Sequence, residues 1–422
     1  MRSPTTISPP DLTLKHEEMS NVRASETLTN MIAICLGLTS AFMVQTMLLI
    51  AVPLHALELG SSPLFVGVIL SAPYLLPLVL AIPLGGLITR VGGKKIIIAG
   101  SIGMVAGPWM ILMVPGFTGL IIAQLIVGMA HMVMVLAGQS IISGLGHGKT
   151  LEKYFGWYTT CLSAGQLAGP LLAGWLIDRN GSNGAFLIMG FVALAGVVSS
   201  FLLTGSVYAG ESTERSLLGY SAQVKLLRTN PGVKVSIALT VAVMFALGAH
   251  GSFLPIYLES LAVSATSIGA LISLRAFCAM AVRPFMSSVI ELVGGRSAAM
   301  IFSAVFVAVG LTFTGVTDHF YALGFLAILI GIGSGISQPL SMVVLAEHVS
   351  PAQRSSALGM RLMGNRGVQF LAPLVLGIIA EVASFELTFF VGGLFVFVFV
   401  GVIAYLIPNF KLQKPYEEPG KG

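Results

Sequence analysis

Two stretches of the sequence decide the fold. Residues 166–178 read "QLAGPLLAGWLID", and residues 369–381 read "QFLAPLVLGIIAE". Laid over each other, they match a glutamine, a proline, a glycine and a final acid in the same places, separated by apolar residues. Such a match between distant segments indicates that the chain contains two halves built on one plan.

Further matches occur at almost the same spacing. "VGVILS" at 66–71 corresponds to "IGALIS" at 268–273, and "VGGK" at 91–94 corresponds to "VGGR" at 293–296. Chance does not explain one nearly constant offset across separate segments. We therefore predict two repeats that enter the membrane from the same side and are related by an axis along the membrane normal.

The composition indicates a membrane protein. Of 422 residues, 55% are hydrophobic and only 9% are charged, and the mean hydropathy is +0.93. A soluble domain has about 25% charged residues, so this chain could not cover a surface that faces water. The 49 glycines fit helices that pack closely in lipid.

A helix crosses a bilayer with about 20 apolar residues. This length predicts an all-α polytopic membrane protein with twelve transmembrane helices in two pseudo-symmetric six-helix bundles. The predicted spans start near Asn30, Pro63, Ile96, Phe117, Tyr154, Ala185, Val233, Ser264, Ala298, Phe320, Ser355 and Phe385. The predicted segments are a disordered cytoplasmic tail (1–29), a first bundle (30–207), a cytoplasmic linker (208–232), a second bundle (233–408) and a cytoplasmic tail (409–422).

Charges in the loops predict the orientation. One set of loops is basic and includes Arg90, Lys94, Lys95, Lys149, Lys153, Arg215, Lys225, Arg228, Lys234, Arg296, Arg354, Lys411 and Lys414. The other set is acidic and includes Glu58, Glu259, Asp318, Glu381 and Glu386. Basic loops stay in the cytoplasm, so we expect a multi-pass protein of the cell membrane with both termini cytoplasmic.

A glycine-rich turn supports a family resemblance. "GGLITRVGGKK" at 85–95 resembles the signature between the second and third helices of the major facilitator superfamily, with Gly85, Arg90, Gly92, Gly93 and Lys94 as the matching residues. The resemblance covers about 30–408 and implies that this turn latches a cytoplasmic gate. Thr89 stands where the family has an acid, so the usual ion pair of the latch would be missing.

A second motif concerns the direction of transport. "GQLAGPLLAG" at 165–174 resembles the fifth-helix signature of the drug and metabolite exporters of that family, through Gly165, Gly169, Pro170 and Gly174. The glycines would let a neighbouring helix approach, and the proline would bend the helix. The resemblance implies an antiporter that exports its substrate, while an uptake symporter or a facilitator for an organic anion stays open as the alternative.

Proton coupling is implied by the resemblance alone. The fourth-helix signature of proton-coupled members has an arginine where this chain has Gln124, and the first span contains Gln45 but no acid. The chain therefore looks unlike an exporter of cations. The titratable candidates inside the spans are His131 and His250, and either could also be an ordinary packing residue.

Three arginines inside the predicted spans are the main functional candidates. Each of Arg275, Arg361 and Arg366 costs about 2.5–3.5 kcal/mol at the centre of a membrane helix. On a helical wheel, Arg361, Asn365 and Gln369 span about 80°, with Arg366 beside them. No acid is embedded nearby to neutralise them, which favours an anionic substrate, although the guanidinium groups could instead bind backbone carbonyls.

The remaining candidates describe the substrate only broadly. Gln45, Gln124 and Gln338, with aromatic and methionine neighbours, suit a small amphipathic organic molecule. We predict a monomer in the lipid bilayer, with no nucleic-acid partner, no metal and no cofactor, driven by the proton gradient. The sequence "SGLGHGKT" at 143–150 imitates a phosphate-binding loop but lacks its first glycine and a preceding strand, so we expect no enzyme.

Overall fold

The protein is a bundle of long helices, as the hydropathy requires. The structure is a computed structural model that describes residues 10–145, 148–204 and 220–412, and all regular elements in these ranges are helical. Lipid offers no hydrogen-bond partners, so a spanning segment must satisfy its backbone groups within its own helix. The predicted fold class is confirmed.

Among the described residues, the first half contains five helices, and the second half contains eight helices and one 3-10 turn. The first five are α1 (Pro10–Glu58), α2 (Pro63–Val91), α3 (Gly93–Met113), α4 (Phe117–Ser143) and α5 (Gly148–Phe201). The others are α6 (Tyr220–Thr229), α7 (Pro231–Ser260), α8 (Ala265–Val282), a 3-10 turn (Arg283–Phe285), α9 (Met286–Leu292), α10 (Arg296–Thr314), α11 (Phe320–Glu347), α12 (Pro351–Val382) and α13 (Phe385–Leu412).

The described helices account for twelve membrane crossings. Eleven helical segments in the described residues are long and apolar enough to cross a bilayer. One of these, Lys153–Phe201, has 49 residues and is kinked at Gly181, where φ is +69°. At about 1.5 Å per residue, it is long enough to cross twice.

The "VGG" repeats mark sharp turns between helices. Gly92 before α3 has φ +92°, and Gly294 and Gly295 before α10 have φ +90° and +108°. Backbone with such positive φ is accessible mainly to glycine. The repeated glycines therefore end one helix and start the next at equivalent places in the two halves.

One segment near the N-terminus and one in the middle of the chain are helical where a disordered tail and a linker were predicted. Residues 10–29 continue α1 as helix, because extending an existing helix costs far less than starting one. Residues 220–229 of the predicted linker form α6, whose Leu226 and Leu227 pack against Val233 and Leu345. Residues 1–9, 205–219 and 413–422 lie outside the described part of the chain.

The bundle has two chemically distinct ends. We call acidic end the one that carries Glu58, Asp178, Glu259, Asp318 and Glu381, and basic end the one that carries Arg90, Lys94, Lys153 and Arg296. The two halves cross closely near the acidic end, where α5 meets α8 and α2 meets α12. A Cβ on Gly269 would come within 2.2 Å of the Pro170 oxygen, and one on Gly67 within 2.4 Å of the Pro373 oxygen. These two crossings are equivalent in the repeat.

A carboxylate secures each crossing. Asp178 on α5 accepts hydrogen bonds from the backbone N–H groups of Ala265 (3.0 Å) and Thr266 (2.8 Å), the first residues of α8. Glu381 on α12 accepts one from the N–H of Leu64 (3.2 Å), at the start of α2. Each acid thus caps a helix N-terminus of the opposite half, where the helix dipole favours negative charge. Asp178 and Glu381 are the acids that end the two matching segments, 166–178 and 369–381, so the repeat places one cap at each crossing.

The halves separate toward the basic end. A Cβ on Gly156 of α5 or on Gly359, Gly364 or Gly367 of α12 would meet nothing within 4 Å. The α12 glycines therefore do not serve close packing against a neighbouring helix in this structure. The reason is that the halves converge at one end of the molecule only.

Removing both caps should favour opening of the acidic end. In Asp178→Ala/Glu381→Ala, we expect a second, longer distance between spin labels on Ser62 and Ala383, measured by pulsed electron resonance in a cysteine-free background. Each cap is worth roughly 1 kcal/mol, as for a charge at an exposed helix terminus. Glu386→Gln removes a nearby acid that caps neither crossing and should leave the distances unchanged. An unaltered distribution in the double variant would contradict this role of the carboxylates.

Candidate functional site

A central cavity lies between the two halves. Its volume is about 440 Å³, within the usual range for small-molecule sites. Its described wall comes from α1, α2, α4 and α5 of the first half and from α7, α8, α11 and α12 of the second, with the 3-10 turn. These are equivalent helices of the repeat, so the cavity surrounds the pseudo-symmetry axis.

The charge of the cavity is entirely positive among its described lining residues. Three guanidinium groups line it, from Arg275, Arg283 and Arg366. No aspartate or glutamate is among the lining residues that the structure describes. All three arginines belong to the second half, so the first half presents mainly neutral polar and aromatic groups.

Arg275 lies on α8, on the cavity wall. Its buried Nε has no hydrogen-bond partner among the described residues. The nearby His250 is close enough for electrostatic interaction. A buried cation without partners is costly, because it has lost water and gained no acceptor. Arg275 is therefore available to bind an anion.

Arg366 lies on α12 and faces the first half. Its Nη1 donates to the side-chain oxygen of Gln369 at 3.2 Å, while its buried Nε finds no acceptor in the described structure. Tyr74 and His131 of the first half are close enough for electrostatic interaction with it. Asn365 also lines the cavity, and its Oδ1 has no described donor.

Arg283 belongs to the cavity, and the sequence analysis did not include it among the candidates. Its Nη1 donates to the hydroxyl of Ser163 on α5 at 3.2 Å, which bridges the two halves. It follows Arg275 by eight residues, about two helical turns, so both fall near one face. Ala279, between them, also lines the cavity. That spacing was the signal that could have identified Arg283.

Arg361 lies outside the cavity wall, contrary to its predicted place in the substrate site. Its Nε donates to the hydroxyl oxygens of Thr240 (3.0 Å) and Ser341 (3.2 Å). Its Nη2 donates to Ser341 (2.9 Å) and to the backbone oxygen of Gln338 (3.3 Å). These acceptors belong to α7 and α11, so Arg361 ties α12 to its own half. The helical wheel gave its direction but not which neighbouring helix it meets.

The predicted glutamines divide between the cavity and the packed interior. Gln45, Gln338 and Gln369 line the cavity. Gln124 is buried on α4 and lies outside the described wall. It is about 10 Å nearer the acidic end than His131, and α2 packs onto α4 between them, since a Cβ on Gly128 would come within 1.9 Å of a backbone oxygen of α2.

The two candidate histidines also separate. His131 lines the cavity and contacts Phe42 edge-to-face, with ring centroids 4.4 Å apart. Its Nε2 is buried and lacks a partner in the described residues. His250 is buried inside α7 packing and is absent from the described cavity wall. His131 is thus the histidine that a substrate could meet.

The sequence profile of the Major Facilitator Superfamily matches residues 34–261 and 237–422. The chain belongs to the major facilitator superfamily. A curated relative, the uncharacterized MFS-type transporter MJ1560 of Methanocaldococcus jannaschii, is 21% identical over 363 residues, which cover 84% of this chain and 91% of the relative.

Solved structures agree with the fold. A bacterial homolog of the human lysosomal transporter Spinster, inward-facing and unoccupied, has a TM-score of 0.75 at 14% identity, over 94% of this chain and 99% of that one. The nucleoside transporter NupG has a TM-score of 0.75 at 16% identity, over 89% of this chain and 99% of that one. A POT family transporter in complex with 5-aminolevulinic acid has a TM-score of 0.74 at 14% identity, over 91% of this chain and 96% of that one. These likenesses concern the fold. The family match and the curated relative make the chain a membrane transporter of this superfamily and not an enzyme.

The major facilitator signature turn lies at the basic end. Gly92 supplies the positive φ of the turn, and a Cβ on Gly93 would come within 2.9 Å of an Ile141 side chain on α4. Lys94 donates from Nζ to the backbone oxygen of Leu203 at 2.5 Å, at the end of α5. Arg90 is exposed. Gly85 lies in a stretch whose side chains are outside the described part, so its gating role stays a prediction, as do those of the other four.

The fifth-helix motif brings α5 against two neighbours. A Cβ on Gly165 would approach the Thr39 oxygen of α1 to 2.4 Å, and one on Gly169 would approach the Thr46 hydroxyl to 2.1 Å. A Cβ on Gly174 would come within 2.0 Å of the Ala265 oxygen of α8. The motif glycines therefore permit both the packing within the first half and the crossing between halves.

Arg361 and Arg275 should respond differently to truncation. Arg361→Ala should lower the free energy of unfolding by about 1–3 kcal/mol, because it leaves hydrogen-bond acceptors on α7 and α11 without their donor. Arg275→Ala, the matched control, removes a cation that has no such partners and should leave the melting temperature unchanged or raise it. Thermal unfolding of the purified variants in detergent measures both. Equal destabilisation by the two substitutions would count against the assignment of Arg361 as structural.

Proposed function

We propose that the protein exports a small anionic, amphipathic organic molecule by alternating access, in exchange for protons. The observation that carries this proposal is the set of three guanidinium groups, Arg275, Arg283 and Arg366, on a central cavity with no described carboxylate. In a membrane protein, uncompensated charge is expensive and usually marks the path of a charged substrate.

The arginines favour a specific chemistry. Arginine stays protonated throughout the physiological pH range and offers donors in a planar fork that matches carboxylate and phosphate oxygens. Arg275 and Arg366 each retain a buried Nε without a described partner, so an anionic group would supply the acceptors they lack. The cargo should therefore carry a carboxylate, a phosphate or a similar anion.

The rest of the wall favours an amphipathic molecule. Phe42, Leu49, Met244 and Leu247 supply apolar surface to the same cavity. Glutamines and hydroxyl groups supply neutral hydrogen-bonding sites. An organic anion with an apolar or aromatic body would use both parts of the wall, whereas a bare inorganic ion would leave the apolar part in water.

Alternating access has a structural basis in the two ends. The acidic end is held closed by the caps of Asp178 and Glu381, and the glycines at the basic end of α12 are unobstructed. With basic loops in the cytoplasm, this is a state open to the cytoplasm, with both termini cytoplasmic. If the basic end then closed and the acidic end opened, the cavity would release the cargo outside the cell.

The direction and the coupling rest on separate supports. The exporter-like motif at 165–174 supports export. A cavity that opens to the cytoplasm could also take up its substrate there, as an exporter must. Oriented vesicles separate this from uptake by a symporter or facilitator, because an exporter accumulates its substrate in inside-out vesicles when the proton gradient is imposed. Accumulation in right-side-out vesicles alone would establish the uptake alternative.

Removing a cavity guanidinium should weaken anion binding. In Arg275→Gln and in Arg366→Gln, we expect the affinity for a stabilising organic anion to fall about 10–100-fold, as for loss of a charge-assisted hydrogen bond. A thermal-shift screen of organic anions against matched cations identifies the ligand, because only ligands of the folded state raise its stability. Titration of the variants then gives the affinities.

The control for this experiment is Arg179→Gln. Arg179 stacks on Trp175, at 5.1 Å from the ring centroid, near the acidic end and away from the cavity. The same charge is lost, so affinity should stay within twofold of the unmodified protein. Stabilisation by cations rather than anions, or unchanged affinity in both cavity variants, would refute the anion site.

His131 is the residue we assign to proton coupling, because it lines the cavity near Arg366. His131→Gln should abolish accumulation driven by a proton gradient while leaving exchange of labelled for unlabelled substrate intact. Both are measured in proteoliposomes, with a pH-sensitive dye to follow protons. His250→Gln, which alters a buried histidine off the described wall, should keep the coupling. Normal proton-driven accumulation in His131→Gln would exclude it as the carrier.

A further inference from the structure

A second cavity lies on the outside of the first half. It measures about 630 Å³ and lies between α2, α3 and α4. It shares no described lining residue with the central cavity. Every described residue of its wall is apolar, for example Leu76, Leu87, Ile96, Ala99 and Met129. We call it the lateral groove.

The lateral groove opens toward lipid. Leu87 is 44% exposed in the bundle, and Ala99 is also exposed. Both lie on helices of the membrane-spanning bundle, where the surrounding medium is hydrocarbon. An apolar groove of this size at that depth can take up a hydrocarbon chain without desolvating any polar group.

The end of the groove carries two cations. Arg90 follows the wall residue Leu87 by three positions on α2, and Lys95 precedes the wall residue Ala99 by four on α3. Residues three or four apart share a helix face, so Arg90 lies one turn beyond Leu87 toward the basic end. Lys95 shares a face with Ala99 and comes directly before the wall residue Ile96, at the same end. Both are exposed and make no hydrogen bond or ion pair with the described residues. Lys94, between them in sequence, instead donates to backbone oxygens at the end of α5.

We propose that the lateral groove binds an acyl chain of an anionic phospholipid whose headgroup is held by Arg90 and Lys95. The apolar wall lies at the depth of the acyl chains of a phospholipid, and the two charges lie toward the interface, where its phosphate is. Basic residues at the membrane surface attract anionic lipids, and two of them act on the same headgroup here. The groove thus recognises both parts of one molecule.

Native mass spectrometry of the full-length protein in detergent tests this assignment. The probes are phosphatidylglycerol and phosphatidylcholine with identical acyl chains. We expect the protein to retain one phosphatidylglycerol about tenfold more tightly than phosphatidylcholine, the order of magnitude for two basic residues near an anionic headgroup. Soluble glycerol phosphate, which has the anion without the chains, should not displace it.

Two pairs of variants separate the charges from the groove. Arg90→Gln/Lys95→Gln should reduce the preference for phosphatidylglycerol to below about twofold, whereas Lys225→Gln/Arg228→Gln removes two exposed charges of α6 and should preserve it. Ala99→Phe fills the groove and should abolish retention of both lipids. Ile102→Phe, on an exposed position of the same helix outside the described wall, should not.

Several results would overturn the proposal. Equal retention of the two lipids by the unmodified protein would remove the role of the charges. Retention that survives Ala99→Phe in a protein with unchanged melting temperature would remove the groove. If Ala99→Phe fails to fold, the charge variants still decide: an undiminished preference in Arg90→Gln/Lys95→Gln refutes the site.

Discussion

The structure depends on the close crossing of its two halves at the acidic end. At each crossing a glycine lets a helix backbone approach the carbonyl oxygen of a proline in the opposite half, as at Gly269 with Pro170 and Gly67 with Pro373. Side chains of any size would hold the helices apart. A carboxylate from the partner half then caps the N-terminus of the approaching helix. Because the halves touch here and diverge toward the other end, a cavity must form between them.

The distribution of charge gives this cavity its character. The second half supplies guanidinium groups, and the first half supplies uncharged groups such as Ser163, Tyr74 and Gln45. In a medium of low polarity, unneutralised charge acts over long distances and is screened little. The asymmetry between the two halves therefore gives the cavity its positive charge. Arg361 shows that charge alone does not decide, since hydroxyl groups of its own half satisfy it.

The sequence predicted the number and spacing of the spans well because lipid imposes a simple rule on length and hydropathy. It predicted the pairing of Asp178 with Glu381 as repeat positions, and both proved to be caps. It assigned the cavity less well. Arg275, Arg366, Asn365, Gln45, Gln338 and Gln369 were among the sequence candidates, while Arg283 was not. Residues on one helix face were identified, but the depth at which the bundles open was not.

The sequence by itself determined a twelve-crossing membrane protein with two repeats. Composition, the length of apolar segments and a constant offset between matching segments can all be read without knowing which residues are in contact. Only the tertiary structure decided which polar residues meet. Gln124 and His131 share a face of α4, yet Gln124 is buried outside the described cavity wall and His131 lines the cavity. The physical reason is that a side chain's environment is set by the neighbouring helices, and their crossing points arise from contacts between residues far apart in sequence.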